Sequence, residues 1–205
     1  GLSDDFEIAY GRRLMTQIAQ RLPQLRVIFR QTHSQIVAGA LLDRTLDLAI
    51  TAGGFAQGRL SRQVLGEGDY RCLVDPDSLA PGQQGIDLDE FVRRAHVLVS
   101  SGGFIGITDE GLAAQGLSRH VCASTSHFAA LPFLLKGSQA VATIPGHAAE
   151  AIAGMTGLQV LPCPLALPRY PVELGWRTQA QLDPMLQKVR EAIVASFTSP
   201  PPSAC

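Results

Sequence analysis

RHVCASTSHFAALPFLL, residues Arg119–Leu135, is the stretch that decides the fold. An apolar strand-like run from Arg119 to Ser124 ends in the polar residues Ser124, Thr125, Ser126 and His127 and passes into a helix start. The first N–H groups of a helix have no partner within it, and its dipole favours negative charge there. A junction of this kind is therefore expected to form half of a small-molecule site. Pro132 removes one helical hydrogen bond, so the helix is either kinked or irregular in its first turn.

Outward from this junction the chain alternates strands and helices. Toward the C-terminus, Gln139–Ile144 reads as a strand, Pro145 as the first residue of a helix, and Leu158–Leu161 as another strand. Toward the N-terminus lie a helix capped by Asp87, the strand His96–Ser100 and the helix Thr108–Leu117. The first part of the chain opens with an amphipathic helix, Asp4–Leu22, whose expected buried face is Ile8, Met15, Ile18 and Leu22, with Asp4 and Glu7 as a capping box. A strand Leu25–Thr32, a helix Gln35–Leu42, a strand Leu46–Thr51 and a loop at the glycines 53, 54 and 58 follow. Leu60–Val74 reads as two strand pieces meeting at a bend, and the chain closes with a strand Val172–Trp176, a helix from Asp183-Pro184 to Phe197, and a frayed tail Thr198–Cys205.

Strand, helix, strand in this order implies parallel sheets with right-handed crossovers. The fold class is thus α/β, with two Rossmann-like lobes. Linkers are expected after Val74 and within the run Pro162–Pro171. They would assign residues 1–75 plus 168–205 to lobe I and 76–167 to lobe II, so that the chain crosses twice between lobes and leaves a hinged cleft.

Composition removes several function classes. Of 205 residues 46% are hydrophobic, ample for real cores, while 17 basic against 18 acidic residues give no bulk attraction to nucleic acid or anionic membrane. No apolar run approaches the ~20 residues of a membrane span. Cys72, Cys122, Cys163 and Cys205 form neither paired metal-ligand spacings nor a dense disulfide framework, so no metal and no cofactor is expected and a reducing compartment is the better setting. The run SGGFIG, residues 101–106, lacks the Lys-Ser/Thr ending of a phosphate loop and reads as a surface loop. No Ser-His-Asp or carboxylate pair is placed by spacing, so the chain is not expected to be an enzyme.

Four stretches carry a family resemblance: Arg44-Thr45-Leu46-Asp47-Leu48-Ala49-Ile50, His96-Val97-Leu98-Val99-Ser100, Asp109 to Leu117 (DEGLAAQGL), and His127-Phe128 through Ala142-Thr143-Ile144-Pro145. In this order and spacing they resemble the effector-binding domain of the LysR-type transcriptional regulators, nearest the nodulation and aromatic-compound-sensing branch. The resemblance implies a type 2 periplasmic-binding-protein-like fold and a cytoplasmic protein with a winged helix-turn-helix ahead of this chain, through which alone it would touch DNA. It also implies a homodimer of this domain, paired through its first helix and neighbouring strand, within a homotetramer. Two positions depart from that branch. Arg177 follows Trp176 where His is frequent, and Asp75-Pro76-Asp77-Ser78 stands where His-Pro is common.

In an open α/β fold ligands sit at the carboxyl ends of strands. The candidate effector-binding residues are accordingly Ser3, Asp4, Thr32, His33, Ser100, Ser101, Thr125, Ser126, His127 and Phe128. Hydroxyls and free N–H groups would take a carboxylate, and Phe128 an apolar or aromatic part. Ser3 and Ser126 are also well placed as plain helix caps, and Asp4 and Asp5 leave a neutral or amine-bearing effector open. The implied function is ligand sensing by a small organic effector. A solute-binding protein of a transport system shares the fold class and is the alternative.

Overall fold

The computed structural model describes residues 1–56, 58–100 and 102–198. Ser101 and the tail beyond Thr198 lie outside the described residues. The chain sorts into two units, Gly1–Glu67 with the chain from Tyr170 onward, and Gly68–Arg169. The first border falls before the strand Tyr70–Val74, earlier than the 75/76 border read from composition, because that strand pairs with two strands of the second unit.

Unit 1 contains helix α1 (Asp4–Arg21), helix α2 (Val37–Leu42), strand β1 (Leu48–Thr51) and strand β2 (Leu60–Gly68). The later elements of the same unit, strand β8 (Tyr170–Arg177) and helix α7 (Pro184–Thr198), return to complete it, and the sheet order is β1-β8-β2. The period of two along each strand divides the side chains between its faces. Ile50, Leu174 and Trp176 join Phe6, Leu14 and Ile18 of α1 and Ile193 of α7 on one face, while Ala49 joins Val37 and Leu41 of α2 and Phe55 on the other. Gly175, also on the α2 side, lies directly beneath the Phe55 ring, where even a Cβ would collide.

Several expectations are corrected here. The buried face of α1 is Phe6, Leu14 and Ile18, and Met15 is 54% exposed. No Asp4–Glu7 capping box starts the helix; Ser3 is the N-cap residue and its hydroxyl donates to the Asp5 carboxylate instead. Leu25–Thr32 is not a laddered strand. It runs extended and meets the sheet only through Leu2, whose N–H donates to the Arg30 carbonyl at 3.0 Å and whose carbonyl accepts from Thr32 at 3.1 Å. Parallel bridges join Leu2 to Gln31 and to Ile50, whereas β1 runs antiparallel to β8.

Unit 2 contains strand β3 (Tyr70–Val74), helix α3 (Leu88–Arg93), strand β4 (Ala95–Val99), helix α4 (Ile107–Ala113), strand β5 (His120–Thr125), helix α5 (Leu131–Leu135), strand β6 (Val141–Pro145), helix α6 (Gly146–Thr156) and strand β7 (Gln159–Pro162). Its sheet has the order β5-β4-β6-β3-β7. Strand β4 is parallel to β5 and β6, whereas β3 is antiparallel to β6 and β7, so this sheet is mixed and not all-parallel. Cys72, Val74, Phe91, Leu112, Val141 and Leu161 form its core. The Asp87 carboxylate caps α3 by accepting from the Glu90 N–H at 2.7 Å. Pro145 precedes α6 as its N-cap and does not occupy the first helical position.

Pro132 starts a helix and does not kink one. A 3₁₀ turn at Phe128–Ala130 is followed by the five-residue α5, with Pro132 as its second residue, where no helical N–H is needed.

Candidate functional site

In unit 1 the double bridging of Leu2 sets three chain segments side by side: the first residues, the extended segment ending at Gln31, and β1. The residues that follow each bridge, Ser3, Thr32 and Thr51, therefore come out at one carboxyl edge. Thr32 is 1% exposed, and its hydroxyl oxygen has no hydrogen-bond partner among the described residues. His33 is half-buried and uses its carbonyl to accept from Ile36 and Val37, closing the turn into α2. Asp4 is half-buried in the first turn of α1, beside the buried Asp5.

Sequence reading missed Thr51 and Glu173 at this edge. They face each other in the β1–β8 register, and both are almost fully buried. One Glu173 oxygen lies 3.5 Å from the Arg62 guanidinium, while the other has no partner among the described residues. Thr51 ends its strand just as Thr125 does, and Glu173 is a charge inside an apolar strand. Both signals were present in the sequence.

In unit 2 the parallel pair β4–β5 brings Val99 opposite Thr125, and the Ser100 N–H donates to the Thr125 carbonyl at 2.8 Å. Ser100, Thr125, Ser126, His127 and Phe128 are thereby gathered at one carboxyl edge. The Thr125 hydroxyl accepts from the His127 N–H at 3.3 Å, and the Ser100 hydroxyl accepts from Gly102 at 3.2 Å. Ser126 and His127 are exposed and Phe128 is half-buried. His127 is the N-cap residue of the 3₁₀ turn but makes no side-chain cap. With α5 only five residues long, its dipole offers little to an anion, so hydroxyls and single N–H groups are the chemistry on display.

The far end of α5 is fixed by Asp75. This buried carboxylate accepts from the Gly137 N–H, where the backbone is left-handed at φ 71°, and from Asp77 at 3.3 Å, with the Lys136 ammonium 3.8 Å away. The Gly137 hydrogen bond above all holds its pKa below the usual carboxylate range. Arg177 also has a structural task, donating to the Leu41 and Leu46 carbonyls at 2.8 and 3.0 Å and so tying the α2–β1 connection to β8.

Toward the amino ends of β4 and β5, away from this edge, a buried polar group ties α4 to the sheet. The Arg119 guanidinium, 1% exposed, forms a two-pronged pair with Asp109 at 2.9 and 2.7 Å. Fully buried His96 donates through Nε2 to the Phe91 carbonyl at 2.8 Å and accepts through Nδ1 from Arg119 at 3.4 Å. Burial lowers its pKa to about 4, which keeps the imidazole neutral. Among the described residues no cluster of three His, Cys, Asp or Glu side chains could hold a metal ion, and no helix is long and apolar enough to cross a membrane.

A groove of about 390 Å³ lies elsewhere in unit 1, toward the amino ends of its parallel-bridged segments, lined by Leu14, Val27, Ile28, Leu48, Met185 and Val189 among others. Val27 and Ile28 are 41% and 75% exposed there.

Two mixed α/β units from one twice-crossing chain, each with a polar carboxyl edge, define the class of two-lobed ligand-binding domains. The chain belongs to the LysR substrate binding domain family, whose sequence profile matches residues 1–198. It is similar to the HTH-type transcriptional activator NahR of Pseudomonas putida, at 27% identity over 96% of this chain and 66% of that protein. It is also similar to nodulation protein D 2 of Rhizobium leguminosarum bv. phaseoli, at 26% identity over 94% of this chain and 61% of that protein. The chain thus spans somewhat under two thirds of the length of these relatives. Among solved structures, the regulatory domain of MexT, a transcriptional activator in Pseudomonas aeruginosa, superposes with a TM-score of 0.86 at 26% identity, covering 95% of this chain and 96% of that one.

Proposed function

We propose that this chain is the effector-sensing part of a cytoplasmic LysR-type regulator, and that one small organic molecule is held by the carboxyl edges of both units. The observation that carries this reading is the pair of edges itself: Ser3, Thr32 and Thr51 in unit 1, and Ser100, Thr125, Ser126, His127 and Phe128 in unit 2. Ser101, adjoining Ser100, belongs to the same proposed set, as do Asp4 and His33. Half-buried Phe128 favours an effector with an aromatic or apolar body, and the hydroxyls favour a polar group on it. Binding shifts a regulator only through different affinity for its two states, so effector uptake must alter the relation between the units or between subunits. That change would pass to a DNA-binding segment outside this chain. Subunits would pair through exposed Met15 of α1 and the apolar Val27-Ile28 segment.

Calorimetry against a panel of aromatic and carboxylated metabolites tests the reading. A true effector loses about tenfold in affinity on Thr125→Ala or His127→Ala, about one hydrogen bond to a ligand. Unchanged affinity in both variants sinks the assignment of this edge.

A further inference from the structure

Unit 2 holds a thiol pair for which effector binding has no use. Cys72 lies on β3 and is fully buried. Its register partner on β7 is Leu161, with Arg71 opposite Pro162, so Cys163 follows one residue beyond β7, diagonal to Cys72 and on the same face of the ladder. Both belong to one apolar cluster, Cys72 inside it and Cys163 at its half-exposed margin. The Cys72 sulfur lies 3.8 Å from the Thr143 hydroxyl, and the titration of each thiol is set first of all by the other, with the Leu165 N–H lowering that of Cys163 and the Arg119 guanidinium acting on both. Cys163, together with burial, keeps the proton on Cys72; Cys72 in turn brings the Cys163 thiol down to about 7. A buried thiol that only packs needs neither a partial opening to solvent nor a second sulfur with a cation behind it.

We propose that Cys72 and Cys163 form a hydroperoxide-reactive dithiol, with Cys163 as the attacking sulfur and Cys72 as the resolving one. The Cys163 thiolate attacks one peroxide oxygen; the S–O bond forms, the O–O bond breaks, and the leaving oxygen takes a proton to become water or an alcohol. Cys163 is now a sulfenic acid. The Cys72 sulfur attacks it, the S–S bond forms, the S–O bond breaks, and the hydroxide leaves as water with the proton Cys72 gives up. In sum, two thiols and one hydroperoxide yield a disulfide, one water and one alcohol or second water. The bond joins the strand that follows the entry into unit 2 to the segment that precedes the exit from it.

The test uses the reduced protein and equimolar hydrogen peroxide. The expected result is an intact mass lower by two hydrogens and a non-reduced peptide map linking Cys72 to Cys163, with exposed Cys122 left as free thiol. In Cys72→Ser the sulfenic acid persists and dimedone labels Cys163, whereas Cys163→Ser leaves Cys72 unlabelled. Alkylation of Cys163 by iodoacetamide should rise to half its limit near pH 7, under the charges that face the pair, Arg119 with its partner Asp109. Oxidation of Cys122 ahead of the pair, a linkage from Cys163 to any cysteine but Cys72, or no disulfide at all overturns the proposal. Because the wild-type protein carries the decisive measurement, misfolding of a variant cannot mask it.

Discussion

The two carboxyl edges carry similar hydroxyl chemistry but are built in opposite ways. At the edge of unit 1 the polar groups Thr32, Thr51, Asp5 and Glu173 are all buried, and two of them keep an oxygen without a partner among the described residues. At the edge of unit 2, Ser126 and His127 are exposed, and the buried polar group of that sheet, Arg119 with His96, sits toward the amino ends of β4 and β5. Unit 1 thus buries its polar atoms, two of them without a partner among the described residues, whereas unit 2 opens polar side chains of its edge to solvent. An unpaired buried oxygen costs about 1–3 kcal/mol, so the first arrangement is the one that a donor on a ligand or an ordered water relieves. Cost at one edge and exposure at the other can be separated by mutation.

The largest effect is expected at the amino ends of β4 and β5 in unit 2. Arg119→Met takes from Asp109 its ion-pair partner, leaving it the Gly106 N–H alone, and takes from the His96 Nδ1 its donor, and breaking a largely buried pair of this kind costs about 3–5 kcal/mol. Urea unfolding measures it; a loss below about 1 kcal/mol would mean that the pair behaves as a solvent-screened surface bridge. A smaller effect is expected of His96→Gln, about 1–2 kcal/mol at neutral pH from the hydrogen bond to Phe91. Its diagnostic is pH. The folded imidazole stays neutral down to about 4, while in the unfolded chain it takes a proton near its ordinary value of 6.5, so protons favour unfolding between these limits. The contribution is fully present above 6.5 and declines as pH falls toward 4. Stability curves of the variant should lack that decline, leaving the carboxylates Asp75 and Asp109, whose lowered pKa values place their own loss at still lower pH. A variant curve parallel to the wild type would refute the assignment to His96.

The smallest effect on stability belongs to unit 1. Thr32→Val replaces an oxygen that has no partner with a methyl group of the same shape, so thermal unfolding should move by less than about 1 kcal/mol, and upward if at all. The same variant should weaken effector binding. A marked destabilisation would show that Thr32 is already satisfied, and the contrast between the edges would then be lost.

The alternation of strands and helices was legible because period-two and helical patterns are local, and so were the caps at Asp87 and Asp183, which accept from the N–H groups ahead of them. Strand direction was not legible. Nothing local distinguishes β3 running against β6 and β7 from β3 running with them; the long connections decide it. Leu25–Thr32 misled because branched and aromatic residues favour a strand wherever they are, yet only the single bridge through Leu2 reaches this segment. For the proposed site, the strand-end rule named Thr32 and Thr125 but passed over Thr51, which stands at the same edge as Thr32. Glu173 stood out as a charge inside an apolar strand, but its partner Arg62 and the contact of His96 with Arg119 were out of reach, since the second spans 23 residues and the first about half the chain.

Gly175 and Phe55 can also be seen as a constraint on inheritance. The Phe55 ring occupies the space that any side chain at 175 would need, at the other end of the chain from residue 55, so neither position can drift alone. A lineage that gains a side chain at 175 must first shrink the residue at 55, and the order of those two changes is fixed by sterics. Among descendants of this sequence, the two sites should therefore record their history as a pair.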